Sequence, residues 1–348
     1  MLRVGARSIG QKQPVFVVAE LSGNHNGDIK RALKIIDAAA DAGADAVKLQ
    51  TYTPDTITID SNRPEFIVQS GKGWKGKTLY KLYGEAYTPW EWHARLFARA
   101  KKRGLVCFSS PFDASAVAFL EKLRNPVYKV ASFEIIDIPL LEMIGKTKKP
   151  VIMSRGMATV PEIRLALKTL RNAGTKDIAL LQCVSAYPAK PEDMNLATIP
   201  DMRKRFKTEV GLSDHSLAND AAVAAVVFGA CVIEKHLTLR RADGGPDASF
   251  SQEPHEFKAM VEAVRRVEAA IGKPSYKRTK AEEPNIVFRK SLFVVEDIRK
   301  GECFTEKNVR SIRPGNGLPP KEYRRILGKR AAKDIKRATP LKRSFIGR

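Results

Sequence analysis

The sequence predicts an α/β protein, a (β/α)8 barrel followed by a small β-rich domain, on three observations. Eight short apolar runs recur through the first 240 residues, and segments of helical spacing lie between them. After about Ser275 the chain turns basic and polar, with short strands between Gly and Pro turns. A chain of 348 residues, 43% of them hydrophobic, holds one barrel of about 250 residues and leaves room for an appendix.

Residues 1–14, with Gly5, Gly10 and Pro14 around short apolar stretches, read as a hairpin beneath the barrel. The runs are VFVVAEL (15–21), AVKLQTY (46–52), LVCFSSPF (105–112), VYKVAS (127–132), PVIMSRG (150–156), IALLQCVS (178–185), EVGLSDH (209–215) and CVIEKHLTL (231–239). They are rich in Val, Ile, Leu and Phe without clean alternation, as parallel strands covered on both faces are. Helical spacing is visible in Ala32, Leu33, Ile35, Ile36, Ala39 and Ala40, ending at Gly43. It recurs over 89–102, 160–172, 219–228 and 256–271. An open doubly wound sheet is the rival fold, but it usually has fewer strands, and no GxGxxG follows the first run. The segment from Pro54 to Tyr87 is long, rich in Gly, Lys and aromatics, and reads as a lid or substrate loop. The expected division is a barrel over 1–274, a linker over 275–288 and a second domain over 289–348.

No stretch approaches the ~20 apolar residues that span a bilayer, and the amino terminus lacks a signal peptide's apolar core, so a cytoplasmic protein is expected. Four scattered cysteines without a CxxC pair argue against disulfides and structural zinc. The formal charge is +23, and residues 273–348 carry +14 of it, from 22 basic and 8 acidic side chains. That excess suits a nucleic-acid binder, a membrane-surface protein or an enzyme of anionic substrates. Nucleic acid is the weaker reading, because the basic residues alternate with Pro, Gly and apolar positions and are not interleaved with aromatics.

In such a barrel the carboxy-terminal strand ends build the active site. All eight runs deliver polar groups there. They are Glu20 with Asn24 and His25; Lys48 and Gln50; Ser109, Ser110 and Asp113; Lys129, Ser132 and Glu134; Ser154 and Arg155; Ser185 and Tyr187; Asp214 and His215; and Glu234, Lys235 and His236. His215 and His236 end neighbouring strands, so their imidazoles can meet at one ion, with Asp214 and Glu234 orienting them or bound waters. Two imidazoles leave coordination positions free, which suits Mn²⁺ or Mg²⁺ acting as a Lewis acid. The other reading is a hydrogen-bonded pair of core histidines. Lys48 and Lys129, with Ser110, Ser132 and Ser154, form a cradle for a small phosphorylated anion. Its alternative is a salt-bridge network with Glu20 and Glu134. GGPDASFS (244–251) places Asp247 on a mobile polar loop, and RPGNGLPP (313–320) presents Arg313 from a rigid turn, unless both are ordinary turns.

The segments AELSGNHNG (19–27), KLQTY (48–52), SSPFD (109–113), YKVASFE (128–134), SRGMA (154–158), SAYPA (185–189), GLSDHS (211–216), EKHLTL (234–239), GGPD (244–247) and IRPGNG (312–317) together resemble the sialic-acid synthase family. Residues 75–93 and 244–251 look more like the branch that makes pseudaminic acid than the N-acetylneuraminate or legionaminate branches. The resemblance implies condensation of phosphoenolpyruvate with an amino-sugar aldehyde, and an antifreeze-like (SAF) domain that crosses to a partner barrel in a homodimer. It assigns His215 and His236 to a divalent metal. Lys48, Gln50, Ser110, Lys129, Ser132, Ser154 and Ser185 fall to substrate binding. Glu20, Glu134, Tyr187 and Asp247 fall to the sugar or to proton handling, and Arg313 to the sugar's N-acyl group on the partner. Arg155, where the family commonly has Thr, is expected to alter the pocket charge, and Asn219 or Asp220 the following helix cap.

Overall fold

The computed structural model of the chain describes residues 1–69 and 74–347. The chain divides into two compact units, Met1–Gly272 and Lys273–Arg348. Residues 70–73, inside the expected lid, lie outside the described residues.

The first unit opens with an antiparallel hairpin, β1 (Leu2–Val4) and β2 (Arg7–Ile9). The eight apolar runs then become eight strands. They are β3 (Phe16–Glu20), β4 (Ala46–Thr51), β5 (Val106–Pro111), β6 (Tyr128–Val130), β7 (Val151–Ser154), β8 (Ile178–Cys183), β9 (Glu209–Asp214) and β10 (Val232–His236). They pair in parallel in chain order, and β10 closes on β3 with Val232 opposite Phe16 and His236 opposite Glu20. The architecture is a closed eight-stranded (β/α)8 barrel.

Helices cover it: α1 (Ile29–Asp41), α2 (Pro54–Ile57), α3 (Leu79–Ala86), α4 (His93–Lys102), α5 (Ala114–Lys122), α6 (Ile138–Lys146), α7 (Val160–Ala173), α8 (Thr198–Phe206), α9 (Asp220–Val227) and α10 (Pro254–Ile271). Several start where a side chain satisfies a free backbone N–H. Asp28 accepts from Lys30, Asp137 from Leu140, and Thr159 forms a capping box with Glu162. Asn219, expected as a cap, makes no capping bond with its side chain. Its Oδ1 instead accepts from Gln252 Nε2 at 2.5 Å, which ties β10's following loop to the start of α9.

Alternation along each strand decides what the barrel encloses. Val47 and Leu49 point outward into the core shared with the helices, whereas Ala46 belongs to the inner cluster with Phe16, Val18, Phe108, Ile152, Leu181 and Val232. Leu2, Val4 and Ile9 of the hairpin pack on that same inner cluster, so the amino-terminal end is filled with apolar side chains. Two residues further along the same faces, the inward side chains become Lys48, Ser154, Cys183 and Glu234. The interior is dry below and polar above.

Gly211 on β9 lies where the wall is tightest. An added Cβ would sit 2.4 Å from the Val232 carbonyl oxygen and 2.6 Å from Leu181 Cδ2. The Leu181 methyl can shift, but the Val232 carbonyl is backbone of the adjacent strand, so that clash cannot relax without moving the barrel wall. Gly211→Ala is expected to destabilise by about 1–3 kcal/mol, read as a lower urea midpoint at unchanged slope. A midpoint equal to the parent's would contradict this packing.

The second unit has its own core of Leu292, Val294, Ile298, Phe304, Val309, Ile326, Ala331, Ile335, Leu341 and Phe345. Its described residues include the antiparallel pair β11 (Ser291–Val294) with β12 (Val309–Ile312), the short helix α11 (Tyr323–Ile326), and 3-10 segments at Lys280–Phe288, Pro320–Glu322 and Arg343–Phe345. Isolated bridges supply the rest of its pairing. Among the described residues no helix is long and apolar enough to cross a membrane.

Candidate active site

A cavity of about 800 Å³ opens at the carboxy-terminal end of the barrel. Its lining includes Lys48, Gln50, Lys129, Ser132, Glu134, Ser154, Ser185, Tyr187, His215, His236 and Asp247, so residues from six strand ends and their loops converge as the sequence predicts. Glu20, Ser110 and Arg313 are not among its lining residues. Glu20 is fully buried behind it, and Ser110 is buried with an unpartnered hydroxyl. Arg313 belongs to the second unit.

The floor is an ion-pair network. Lys48 Nζ lies 2.8 Å from Glu234 Oε1 and 2.8 Å from Glu20 Oε2. Lys129 Nζ donates to Ser154 Oγ at 2.7 Å and stands 3.9 Å from Glu234. Ser213 Oγ donates to the same Glu234 oxygen at 3.1 Å. Burial lowers the Lys48 pKa to about 8 against the opposing pull of Glu234. Glu234 is held well below the usual carboxylate range, because Lys129 and Lys48 outweigh its own desolvation. The two cradle lysines are therefore also the cations of a salt-bridge network, with Glu20 and Glu234 as their partners and not Glu134.

Both Glu20 oxygens have close neighbours, although Oε2 meets Lys48 as an ion pair and has no hydrogen bond of its own. Its carboxylate faces Lys48, accepts from the Ser22 backbone N–H at 3.0 Å and from Gln50 Nε2 at 3.2 Å. Glu134 is different. It lines the cavity, has a buried oxygen without a partner, and burial raises its pKa to about 7 despite Lys129. A carboxyl group poised near neutrality, beside buried cations, is a candidate proton acceptor.

The two histidine rings lie 5.3 Å apart between centroids, flanked by Tyr187 at 4.5 Å from His215 and by Phe250 at 4.9 Å from His236. His215 Nδ1 is 2.8 Å from the Val184 carbonyl and 3.9 Å from Cys183 Sγ, which makes it the N–H. Burial lowers the ring's pKa, but Cys183 and the carbonyl raise it overall, so a metal at Nε2 would compete with a proton. His236 Nδ1 is buried without a hydrogen-bond partner. Burial and the surrounding cations hold that ring well below its ordinary pKa, in the neutral form that binds metals. Such an orphaned nitrogen beside a pre-oriented imidazole fits a divalent ion. Among the described residues no third His, Cys, Asp or Glu completes a cluster, so substrate oxygens or water would take the remaining positions.

Asp214 and Glu234 do not orient the histidines. Asp214 alternates to the other face of β9, where Lys235 Nζ reaches its Oδ2 at 2.5 Å and the Ser216 carbonyl at 2.6 Å. That buried pair fixes the turn carrying His215. Asp247, in the loop after β10, is held by contacts of its own. Its carboxylate accepts from Ser22 Oγ and, at 3.2 Å, from the Gly23 N–H, and burial raises its pKa. Arg155 Nε donates to Gln182 Oε1 at 2.7 Å, and the residue is not among those that line the cavity.

Sequence reasoning did not select Ser22, Tyr52, Cys183, Trp74 or Phe250 for the site. Trp74 lies in a Gly/Lys-rich stretch without periodicity, yet its Nε1 donates to the Pro246 carbonyl at 2.7 Å and its ring stands 5.5 Å from Tyr187. Cys183 Sγ is 3.3 Å from Ser132 Oγ, at the end of an inward-facing register that runs Ala179, Leu181, Cys183.

Comparison with known proteins shows the family and the fold. Residues 35–276 match the NeuB family and residues 289–346 match the SAF domain. A pseudaminic acid synthase of Campylobacter jejuni is 46% identical over 330 residues, 95% of this chain and 96% of its own length. The enzyme of that name in Helicobacter pylori is 45% identical over 337 residues, 97% and 99% of the two chains. An N-acetylneuraminic acid synthetase of Leptospira borgpetersenii, solved with citrate, superposes with a TM-score of 0.72 at 32% identity, covering 82% of this chain and 94% of its own.

Proposed function

The chain belongs to the NeuB family, and from that premise we propose that it is a pseudaminic acid synthase. It condenses phosphoenolpyruvate and 2,4-diacetamido-2,4,6-trideoxy-altrose, with water, to pseudaminic acid and phosphate. The observation that carries the reading is the juxtaposition of Lys48 and Lys129 with His215 and His236 in one barrel mouth. Relatives named for this activity at 45–46% identity over nearly the whole chain support it.

In this reading Lys48 and Lys129, with the hydroxyls of Ser132, Ser154 and Ser185, receive the phosphate and carboxylate charges of phosphoenolpyruvate. His215 and His236 would hold Mn²⁺ or Mg²⁺, which as a Lewis acid makes the sugar's aldehyde carbon electrophilic. Carbon 3 of phosphoenolpyruvate bonds to that carbon, and the aldehyde oxygen takes up a proton to become a hydroxyl. Water adds at C2, and the tetrahedral carbon becomes the ketone as its C–O bond to phosphate breaks and phosphate leaves with the remaining proton. Glu134 takes the proton from the water. Glu20, already engaged by Lys48, Gln50 and Ser22, positions Lys48 instead. Tyr187 and Asp247 border the sugar. Arg313 would reach the N-acyl group from the second unit of a partner in a homodimer, and the reaction belongs to the cytoplasm, where phosphoenolpyruvate is made.

Phosphate release from phosphoenolpyruvate with Mn²⁺ tests the reading against three sugars: the trideoxy-altrose, N-acetylmannosamine, and the 2,4-diacetamido mannose analogue. Release with the first, at least about 10-fold above the others, is expected. Release with N-acetylmannosamine alone would overturn it.

The assignment of Glu134 makes a pH prediction with a definite sign. A base must be ionised, so kcat rises with pH through about 7. Glu134→Gln loses that limb and about 10²-fold or more in rate. Because the folded pKa lies above the unfolded one, the native carboxyl destabilises the fold increasingly from about pH 4.5 and fully above about 7. Glu134→Gln should therefore be more stable than the parent at pH 8, by up to about 3 kcal/mol, and equal to it at pH 4. A variant that keeps the parent's pH profile would remove Glu134 from the proton path.

A further inference from the structure

We propose that α3, with Ile57, Val68 and Phe112, forms an apolar wall that selects a sugar aldehyde ending in a methyl group over one ending in a hydroxymethyl group. The inference rests on the reading that the cavity takes an amino-sugar aldehyde.

The cavity is divided by polarity. Apart from Tyr83 of α3 and Asp247 of the loop after β10, its charged and hydroxylic side chains come from the strand ends and the turns that follow them, whereas Ile57, Val68 and the residues of α3 come from the β4–α4 connection. Leu79, Leu82, Tyr83 and Ala86 recur at helical spacings of three, one and three residues, and all four line the cavity. An amphipathic helix ordinarily turns such a stripe into a core. Here the stripe faces the ligand space, and Ile57, Val68, Leu79 and Tyr83 all remain half-buried. Phe112 packs edge-on against Tyr52 at 5.1 Å, and Tyr83 packs against the same ring at 5.6 Å, which holds the wall in place.

Among the described residues, polar groups are few on this side, the hydroxyls of Tyr52 and Tyr83 being the main ones. Tyr83 carries the only side-chain hydroxyl of the α3 stripe, and the indole N–H of neighbouring Trp74 is already engaged by the Pro246 carbonyl. With the anion drawn to Lys48 and Lys129, the far end of the sugar is the part left for the wall. A methyl group there gains contact and loses nothing, whereas a hydroxyl gives up its water for a surface with little to offer it. An apolar site rejects an added hydroxyl by about 10²-fold at most.

The test compares 2,4-diacetamido-2,4,6-trideoxy-altrose with its 6-hydroxy counterpart, by kcat/KM for phosphate release in the parent, Leu79→Asn and Ile57→Thr. Both positions are half-buried, and thermal melts verify that each variant folds. The parent should prefer the deoxy sugar by about 10- to 100-fold. At least one variant should narrow that ratio about 10-fold, by losing on the deoxy sugar while KM for phosphoenolpyruvate stays put. Two altroses turned over within twofold of each other would overturn the wall and leave the synthase reading intact. So would folded variants that slow both sugars equally. Turnover of N-acetylmannosamine with neither altrose used would overturn both readings.

Discussion

Replacing either His215 or His236 by alanine should lower kcat/KM by at least about 10³-fold, the scale on which a Lewis acid of several kcal/mol acts. Metal content provides a readout independent of turnover. The parent should retain close to one Mn²⁺ per chain after gel filtration, and each variant should retain much less. The structural reason is that one ring is pre-oriented by the Val184 carbonyl and the other has a buried nitrogen with no partner. A single remaining imidazole cannot hold the ion against water. Folding should be little affected, since neither ring donates to or accepts from another side chain of the floor network. Parent-like metal retention and activity in both variants would refute the assignment.

Lys48→Met should be damaging in two separable ways. Removing the ammonium leaves Glu20 and Glu234 buried with Lys129 as the nearest cation, 3.9 Å from Glu234. Breaking a buried ion pair of this kind costs about 3–5 kcal/mol of stability. The loss should shrink as pH falls, because protonating the two carboxyls removes their uncompensated charge. Adding Glu20→Gln to the variant should recover part of the stability at neutral pH. It should not recover activity, which should fall by about 10²- to 10³-fold with the loss of a cation at the anion-binding floor. Recovery of both together would mean that Lys48 only serves the fold.

The fold was legible because parallel strands buried on both faces need uninterrupted apolar residues, and eight such runs with helical segments between them admit few arrangements. The polar strand ends were legible for the same reason. Lys48 or His236 stands out in an apolar run, and the rim follows from strand direction. Partnership was less accessible. Adjacent letters such as Asp214 and His215 suggest cooperation, but alternation sends them to opposite faces, and Lys235 claims the carboxylate. Glu20 and Glu134 look equivalent as strand-end glutamates. Only three-dimensional neighbours reveal that one is engaged on several sides and the other holds its proton near neutrality. Trp74 left no trace in the pattern, because its role depends on a carbonyl 172 positions away.

The change from dry to polar along the barrel's inner face has a practical meaning for anyone altering this catalyst. On β4, Ala46 belongs to the apolar lower layer and Lys48 to the cavity lining, with only Val47 between them. Val232 and Glu234 repeat that step on β10. Heat tolerance and turnover can therefore be tuned on different rungs of the same ladder, and a substitution screen that scores both traits should see the phenotype switch within a single pleat.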